Sequence, residues 1–146
     1  MITVEKLLEH KGRQVWTVTP ENTVFESIEI MDEKGVGALA VVIKGALVGI
    51  VSERDYARKV MLKGLSVKDT LIKDIMTTHV YHTVMSQPID ECLVMMNERR
   101  IRHIPVVEDE KLVGMVSVGD VVKEIINEQQ YTIKQLENYI SWEESY

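Results

Sequence analysis

A serine followed three residues later by an aspartate closes an apolar run twice in this chain, in Gly49-Ile50-Val51-Ser52-Glu53-Arg54-Asp55 and in Gly114-Met115-Val116-Ser117-Val118-Gly119-Asp120. At a helix start such a pair is a capping box, the hydroxyl and the carboxylate satisfying backbone N–H groups that have no partner inside the helix. The same pair has a second use. A helix beginning at the C-terminal end of a strand offers N–H groups and a positive dipole end to an anion, and a carboxylate beside it accepts hydrogen bonds from a ribose diol. Asp for a sugar and Ser with the helix end for a phosphate suit a nucleotide. Arg54, Arg102 and His103 are candidates for phosphate charge, since guanidinium groups pair with phosphate bidentately; the competing reading of each Arg is a solvated surface charge.

Other signals lead away from chemistry. Gly35-Val36-Gly37-Ala38-Leu39-Ala40 spells G-x-G-x-x-A, but the dinucleotide fingerprint runs strand, turn, helix, and here the order is helix, turn, strand. His79 and His82 have no Cys or acid nearby to complete a metal set. Cys92 falls on an apolar helix face and reads as a core residue. No G-x-S-x-G, H-E-x-x-H or Walker A pattern occurs, and the Ser, His and Asp residues are not spaced as a triad. The expectation is a protein without catalytic residues or a metal.

The elements that must position the two Ser-x-x-Asp pairs repeat with them. Shifting the sequence by 65 residues sets Leu47-Val48-Gly49-Ile50-Val51-Ser52 on Leu112-Val113-Gly114-Met115-Val116-Ser117, Val41-Val42 on Val106-Val107, and Glu26, Met31 and Glu33 on Glu91, Met96 and Glu98. Two tandem copies follow, 10–65 and 75–130, with an N-terminal segment 1–9 packing on them and a C-terminal helix over 131–146. Each copy opens on a short extended segment, Val15–Val18 or Val80–Thr83. The spacing of Val24, Ile28 and Met31, and of Ile89, Cys92, Leu93 and Met96, then predicts a helix. Two strands follow, Leu39–Ile43 with Leu47–Val51 and Ile104–Val107 with Leu112–Val116, as a hairpin. A second helix starts at Ser52 or Ser117. The fold class is therefore α/β (α+β), two β-α-β-β-α repeats. About 55 residues is marginal for an independent core, so the copies are expected to pack sheet to sheet as one unit. Ser66–Ile75 links them and reads as partly helical. Ile133, Leu136 and Ile140 predict a tail helix docked on the body or on a second subunit, the competing reading being a dedicated docking motif for another protein.

Composition bounds the rest. The chain has 146 residues, 45% hydrophobic and 27% charged, with net charge −6 and pI near 5.2. Nucleic-acid-binding domains show a basic face, so no nucleic-acid partner is expected. A single cysteine excludes an intramolecular disulfide framework and fits a reducing compartment. No apolar stretch approaches the ~20 residues of a membrane span, and Met1–His10 is not a signal peptide. The expectation is a cytoplasmic protein with no membrane partner.

With these residues in place, the chain resembles a pair of cystathionine-β-synthase (CBS) domains, a Bateman module. The resemblance rests on the doubled hydrophobic-Gly-hydrophobic-hydrophobic-Ser-x-x-Asp element, on Ile101-Arg102-His103-Ile104-Pro105-Val106-Val107 and on the linker Asp74-Ile75-Met76-Thr77, and it covers nearly the whole chain. It implies two pseudo-symmetric clefts between the copies, holding AMP in first place, with ADP, ATP, NAD or S-adenosylmethionine as alternatives, and disc-like dimers of modules. It puts Ser52 and Ser117 at the phosphate, Asp55 and Asp120 at the ribose, Gly37-Ala38-Leu39 and Arg102-His103-Ile104 beside the adenine, and Trp16, Thr77 and Tyr81 in the segments that close the clefts. The copies differ where Arg54 aligns with Gly119 and Ala40 with Pro105, and Gly119 and Pro105 join the nucleotide-binding candidates, so the clefts are not expected to be equivalent. The implied function is a stand-alone regulatory module, an energy or redox sensor acting through a homodimer and an effector protein of unknown identity. The alternative is a structural dimerisation protein with vestigial clefts.

Overall fold

The computed structural model describes residues 1–144. Helix α1 (Val4–Lys11) comes first, then β1 (Thr17–Val18), α2 (Val24–Lys34), β2 (Ala38–Ile43), β3 (Ala46–Ser52) and α3 (Glu53–Asp55), which runs on as a π-helical segment, Tyr56–Met61. A 3₁₀ turn, Ile72–Asp74, lies in the linker. The second copy holds α4 (Ile89–Arg99), β4 (His103–Glu108), β5 (Lys111–Ser117) and the long α5 (Val118–Glu144). Ser145 and Tyr146, the end of the expected tail helix, lie outside the described residues.

Local chemistry sets the element ends. Thr23 and Glu26 form a reciprocal capping box at the start of α2. Each hairpin turns on two residues with positive φ, Lys44 and Gly45 in the first and Asp109 and Glu110 in the second. That geometry matches the right-handed twist of the flanking strands. β1 pairs parallel with β2, Val18 opposite Val41. In the second copy only Thr83 makes the matching parallel bridge, to Val106. The sheet order is therefore β1-β2-β3 in one copy and β4-β5 in the other.

Each copy has its own apolar core. Val18, Val24, Met31, Leu39, Val41, Val51 and Val60 cluster with Ile72 and Ile75 of the linker. Ile89, Cys92, Met96, Ile104, Val106, Val116 and Val121 cluster with Val4, Leu7 and Leu8 of α1. Strand β3 lies against β5, which joins the two sheets as the size argument requires.

The N-terminal helix is thus built into the core of the second copy, not the first, and the boundary expected at residue 10 falls inside it. A second repeat, at 68 residues, explains why. Ile89 N–H donates to Ile2 O and Val4 N–H to Gln87 O; in the first copy Val24 N–H donates to Thr70 O and Ile72 N–H to Asn22 O. Thr3 bridges Pro88 as Leu71 bridges Thr23. A Cβ on Gly114 would lie 2.7 Å from Leu8 Cδ1, and one on Gly49 2.8 Å from Met76 Sδ. The linker therefore does for the first copy what the N-terminus does for the second, and both glycines are there because the crossing segment leaves no room for a side chain.

The tail departs from one of its two expected placements. Val121 and Glu124 are buried against the body, but residues 126–143 of α5 are exposed along their whole length.

Candidate functional site

Two cavities of about 320 Å³ each lie at the C-terminal ends of β3 and β5. The first brings together nine of the sixteen residues picked from the sequence: Gly37, Ala38, Ser52, Arg54, Asp55, Thr77, Tyr81, Arg102 and His103. The second is lined by Trp16, Gly37, Ala38, His103, Ser117 and Asp120. Each cleft is closed by an aromatic residue of the other copy, Tyr81 over the first and Trp16 over the second. Both rings carry a cation at matched positions, Arg99 at 4.7 Å from the Tyr81 ring and Lys34 at 4.5 Å from the Trp16 ring.

Four of the expected residues lie outside both linings. Leu39 and Ile104 are fully buried in the two cores. Strand side chains alternate between faces, so when Ala38 and His103 point to the clefts their successors must point inward. Pro105 is buried and paired with Met115, its carbonyl accepting from Thr83 N–H. Gly119, the second residue of α5, has no side chain to reach a cleft.

The capping geometry is present at both sites. Ser52 N–H donates to Asp55 Oδ2 at 2.9 Å and Asp55 N–H to Ser52 Oγ at 3.4 Å. Ser117 and Asp120 do the same at 2.9 and 3.1 Å. Each acid also holds a lysine. Lys59 Nζ, one turn further along the helix, lies 3.0 Å from Asp55 Oδ1 and donates to the Ile75 carbonyl at 2.9 Å. Lys11 Nζ, from α1, lies 2.5 Å from Asp120 Oδ2 and donates to the Met115 carbonyl at 2.7 Å. Burial pushes the Asp120 carboxyl upward, but hydrogen bonds from Lys11 and Ser117 outweigh it and hold the group below the usual carboxylate range.

The clefts differ in free charge. Arg54 crosses the first, its Nη1 donating to the Arg100 carbonyl of the other copy at 3.1 Å. Arg100 caps α4 with φ 55°, where the first copy has Gly35. With Arg102, three guanidinium groups therefore line the first cleft, against the single lysine already paired in the second. Sequence reasoning missed Arg100, Glu53, His79 and Lys11. It also missed Lys59, which the four-residue spacing from Asp55 could have shown; nothing local connects Lys11 to an acid more than a hundred residues away.

His103 stands between the clefts and lines both. Its ring faces Gly37, where a Cβ would lie 3.5 Å from Cε1. Burial, reinforced by the Lys11 charge, lowers its pKa below the ordinary imidazole value, with Asp120 opposing. The unfolded chain then takes up a proton that the folded chain resists, so this residue makes stability fall as pH drops through the imidazole range. Urea unfolding between about pH 7.5 and 5.5, which spans the ordinary imidazole pKa, is expected to show the loss, and His103→Asn to flatten it. An equal slope in both proteins would overturn the assignment.

The fold and site together define a class: two tandem α/β repeats with a cleft of about 320 Å³ at each strand-to-helix junction. The CBS-domain family matches residues 4–62 and 72–127, and the chain belongs to that family. It is 36% identical to the mitochondrial CBS domain-containing protein CBSX3 of Arabidopsis thaliana over 94% of this chain and 71% of the relative. It also resembles the solved structure of a putative signal-transduction protein with CBS domains from Burkholderia ambifaria. The identity there is 46% and the TM-score 0.84, over 88% of this chain and 96% of the other. A third likeness, at 25% identity and TM-score 0.76 over 85% and 99% of the two chains, is to a CBS-domain pair in complex with 5′-methylthioadenosine and S-adenosyl-L-methionine. CBS pairs are regulatory modules. No helix among the described residues is long and apolar enough to cross a membrane.

Proposed function

We propose that this protein is a regulatory module that binds adenine nucleotides in its two clefts and passes the signal on through a homodimer and an effector protein. One observation carries the reading: each Ser-Asp pair opens on a cavity whose far wall belongs to the other copy. A ligand there contacts both copies at once and shifts their relative placement by its differential affinity for the two arrangements. The adenosine-type ligands of the related CBS pair support an adenosine moiety. Three arginines in the first cleft favour a phosphorylated one, AMP before ADP, ATP or NAD. Neither cleft requires a catalytic role for any residue. The buried, single Cys92 thiol fits the cytoplasm as the compartment.

Thermal unfolding with AMP and with GMP tests the proposal. A ligand that binds only the folded state at 100 Kd adds about 2.7 kcal/mol. AMP is expected to raise the midpoint and GMP to do so weakly. Equal shifts, or none, would favour the rival reading, a dimerisation protein whose Ser-Asp pairs serve only as helix caps.

A further inference from the structure

Beyond the body, α5 carries an apolar stripe that nothing among the described residues covers. Val122, Ile126, Ile133, Leu136 and Ile140, with Gln129 between, recur at alternating steps of four and three residues. That is the a/d seam of a coiled coil, here with Ile126, Ile133 and Ile140 at a and Val122, Gln129 and Leu136 at d. The seam is separate from the face that α5 turns to its own body, which is formed by Val118, Val121 and Ile125. Ile133, Leu136 and Ile140 are 54%, 57% and 55% exposed. From Ile126 to Glu143 the helix projects about 27 Å. A helix of that length without tertiary cover is marginal in water, so its formation calls for a partner on the seam.

Charge and polarity select the partner and its direction. In an antiparallel pair of two copies centred near Tyr131, Ile126 meets the partner's Leu136, Ile133 the partner's Gln129 and Ile140 the partner's Val122. The flanking e positions then set Lys123 against the partner's Glu137, and by symmetry Glu137 against the partner's Lys123. A parallel pair places Glu143 on the partner's Glu143 at a d position and brings no ion pair. Flanking charges of this kind set partner choice and orientation. We infer that α5 pairs antiparallel with α5 of a second copy, as a two-stranded coiled coil that holds the two CBS modules at opposite ends. This rests on the homodimer reading above but assigns it an interface on the tail helix rather than the disc-like module face that the family resemblance implies, and it is independent of what the clefts bind.

Sedimentation of the full chain tests it. Wild type is expected to be a dimer at micromolar concentration. Ile133→Asp, at a position that is 54% exposed in a single chain, buries two carboxylates at the seam. It is expected to raise the dimer Kd about a hundredfold while leaving the thermal transition of the monomer body and its nucleotide binding in place. Lys123→Glu is expected to weaken the dimer about tenfold, and Lys123→Glu with Glu137→Lys to restore it. In oxidative cross-linking, Ile140→Cys chains are expected to link to Val122→Cys chains and not to each other. A wild-type dimer that survives Ile133→Asp, or self-linking of Ile140→Cys, would overturn the assignment of this interface while leaving the homodimer. A monomeric wild type would remove both.

Discussion

A chain carrying Asp55→Asn and Asp120→Asn together is expected to fold normally and to bind no adenine nucleotide measurably. The substitution separates the two uses of these acids. Asparagine keeps a carbonyl that accepts the Ser52 or Ser117 backbone N–H, now 2.9 Å from each Oδ2, so each cap survives at modest cost. What is lost is the charge that strengthens bonds from a ribose diol. A hydrogen bond to a charged group contributes about 1.5–3 kcal/mol, and each 1.4 kcal/mol is about tenfold in affinity. Each single variant is therefore expected to lose roughly ten- to hundredfold at its own cleft. For a phosphorylated adenosine, the Asp55 change is expected to cost more, because the arginines line that cleft. In the second cleft the change also frees Lys11, whose ammonium becomes available to a phosphate and offsets part of the loss. Calorimetry showing wild-type affinity in the double variant would leave helix capping as the whole role of both acids.

The largest stability effect is expected at a residue that lines neither cleft, Leu8. Its side chain is buried in the second copy's core and meets β5 where Gly114 leaves no Cβ. Leu8→Ala opens a cavity between helix and strand at a cost of about 2–5 kcal/mol. In a chain of this size that is roughly 5–15 °C in Tm. Because Lys11 sits three residues further along α1, a loosened helix is also expected to weaken the Lys11–Asp120 pair and alter nucleotide affinity in the second cleft but not the first. Differential scanning calorimetry with calorimetric binding reads both effects. A destabilisation below about 1 kcal/mol, less than a large-to-small core change gives, would mean that α1 is a surface appendage rather than part of that core.

Much of the architecture is legible without coordinates because it is written twice. The 65-residue echo aligns Val51-Ser52 with Val116-Ser117 and Asp55 with Asp120, and a strand-to-helix junction needs only those local residues to form. The two-residue hairpins and the Thr23–Glu26 cap are local in the same sense. The 68-residue relation between Ile2–Leu8 and Thr70–Met76 was hidden, since almost nothing but apolar character is shared: Val4 stands for Ile72 and Leu8 for Met76. What those segments share is a place to pack, over Gly114 and Gly49.

The family resemblance pointed to Trp16 and Tyr81 as the aromatic residues that close the clefts; the sequence by itself determined the paired repeats and the capping boxes with their Ser and Asp. Each depends on spacing within a few residues or on a repeat that can be counted. Only the tertiary structure decided which residues share a cleft. It turned Leu39 and Ile104 away into the cores by strand alternation and set Tyr81 opposite Asp55. It brought Arg100 to Arg54 across the junction of the copies and carried Lys11 onto Asp120 by burying α1 in the second core. Those pairings follow from how two curved sheets and a crossing helix exclude water together, and that packing joins positions more than a hundred residues apart along the chain.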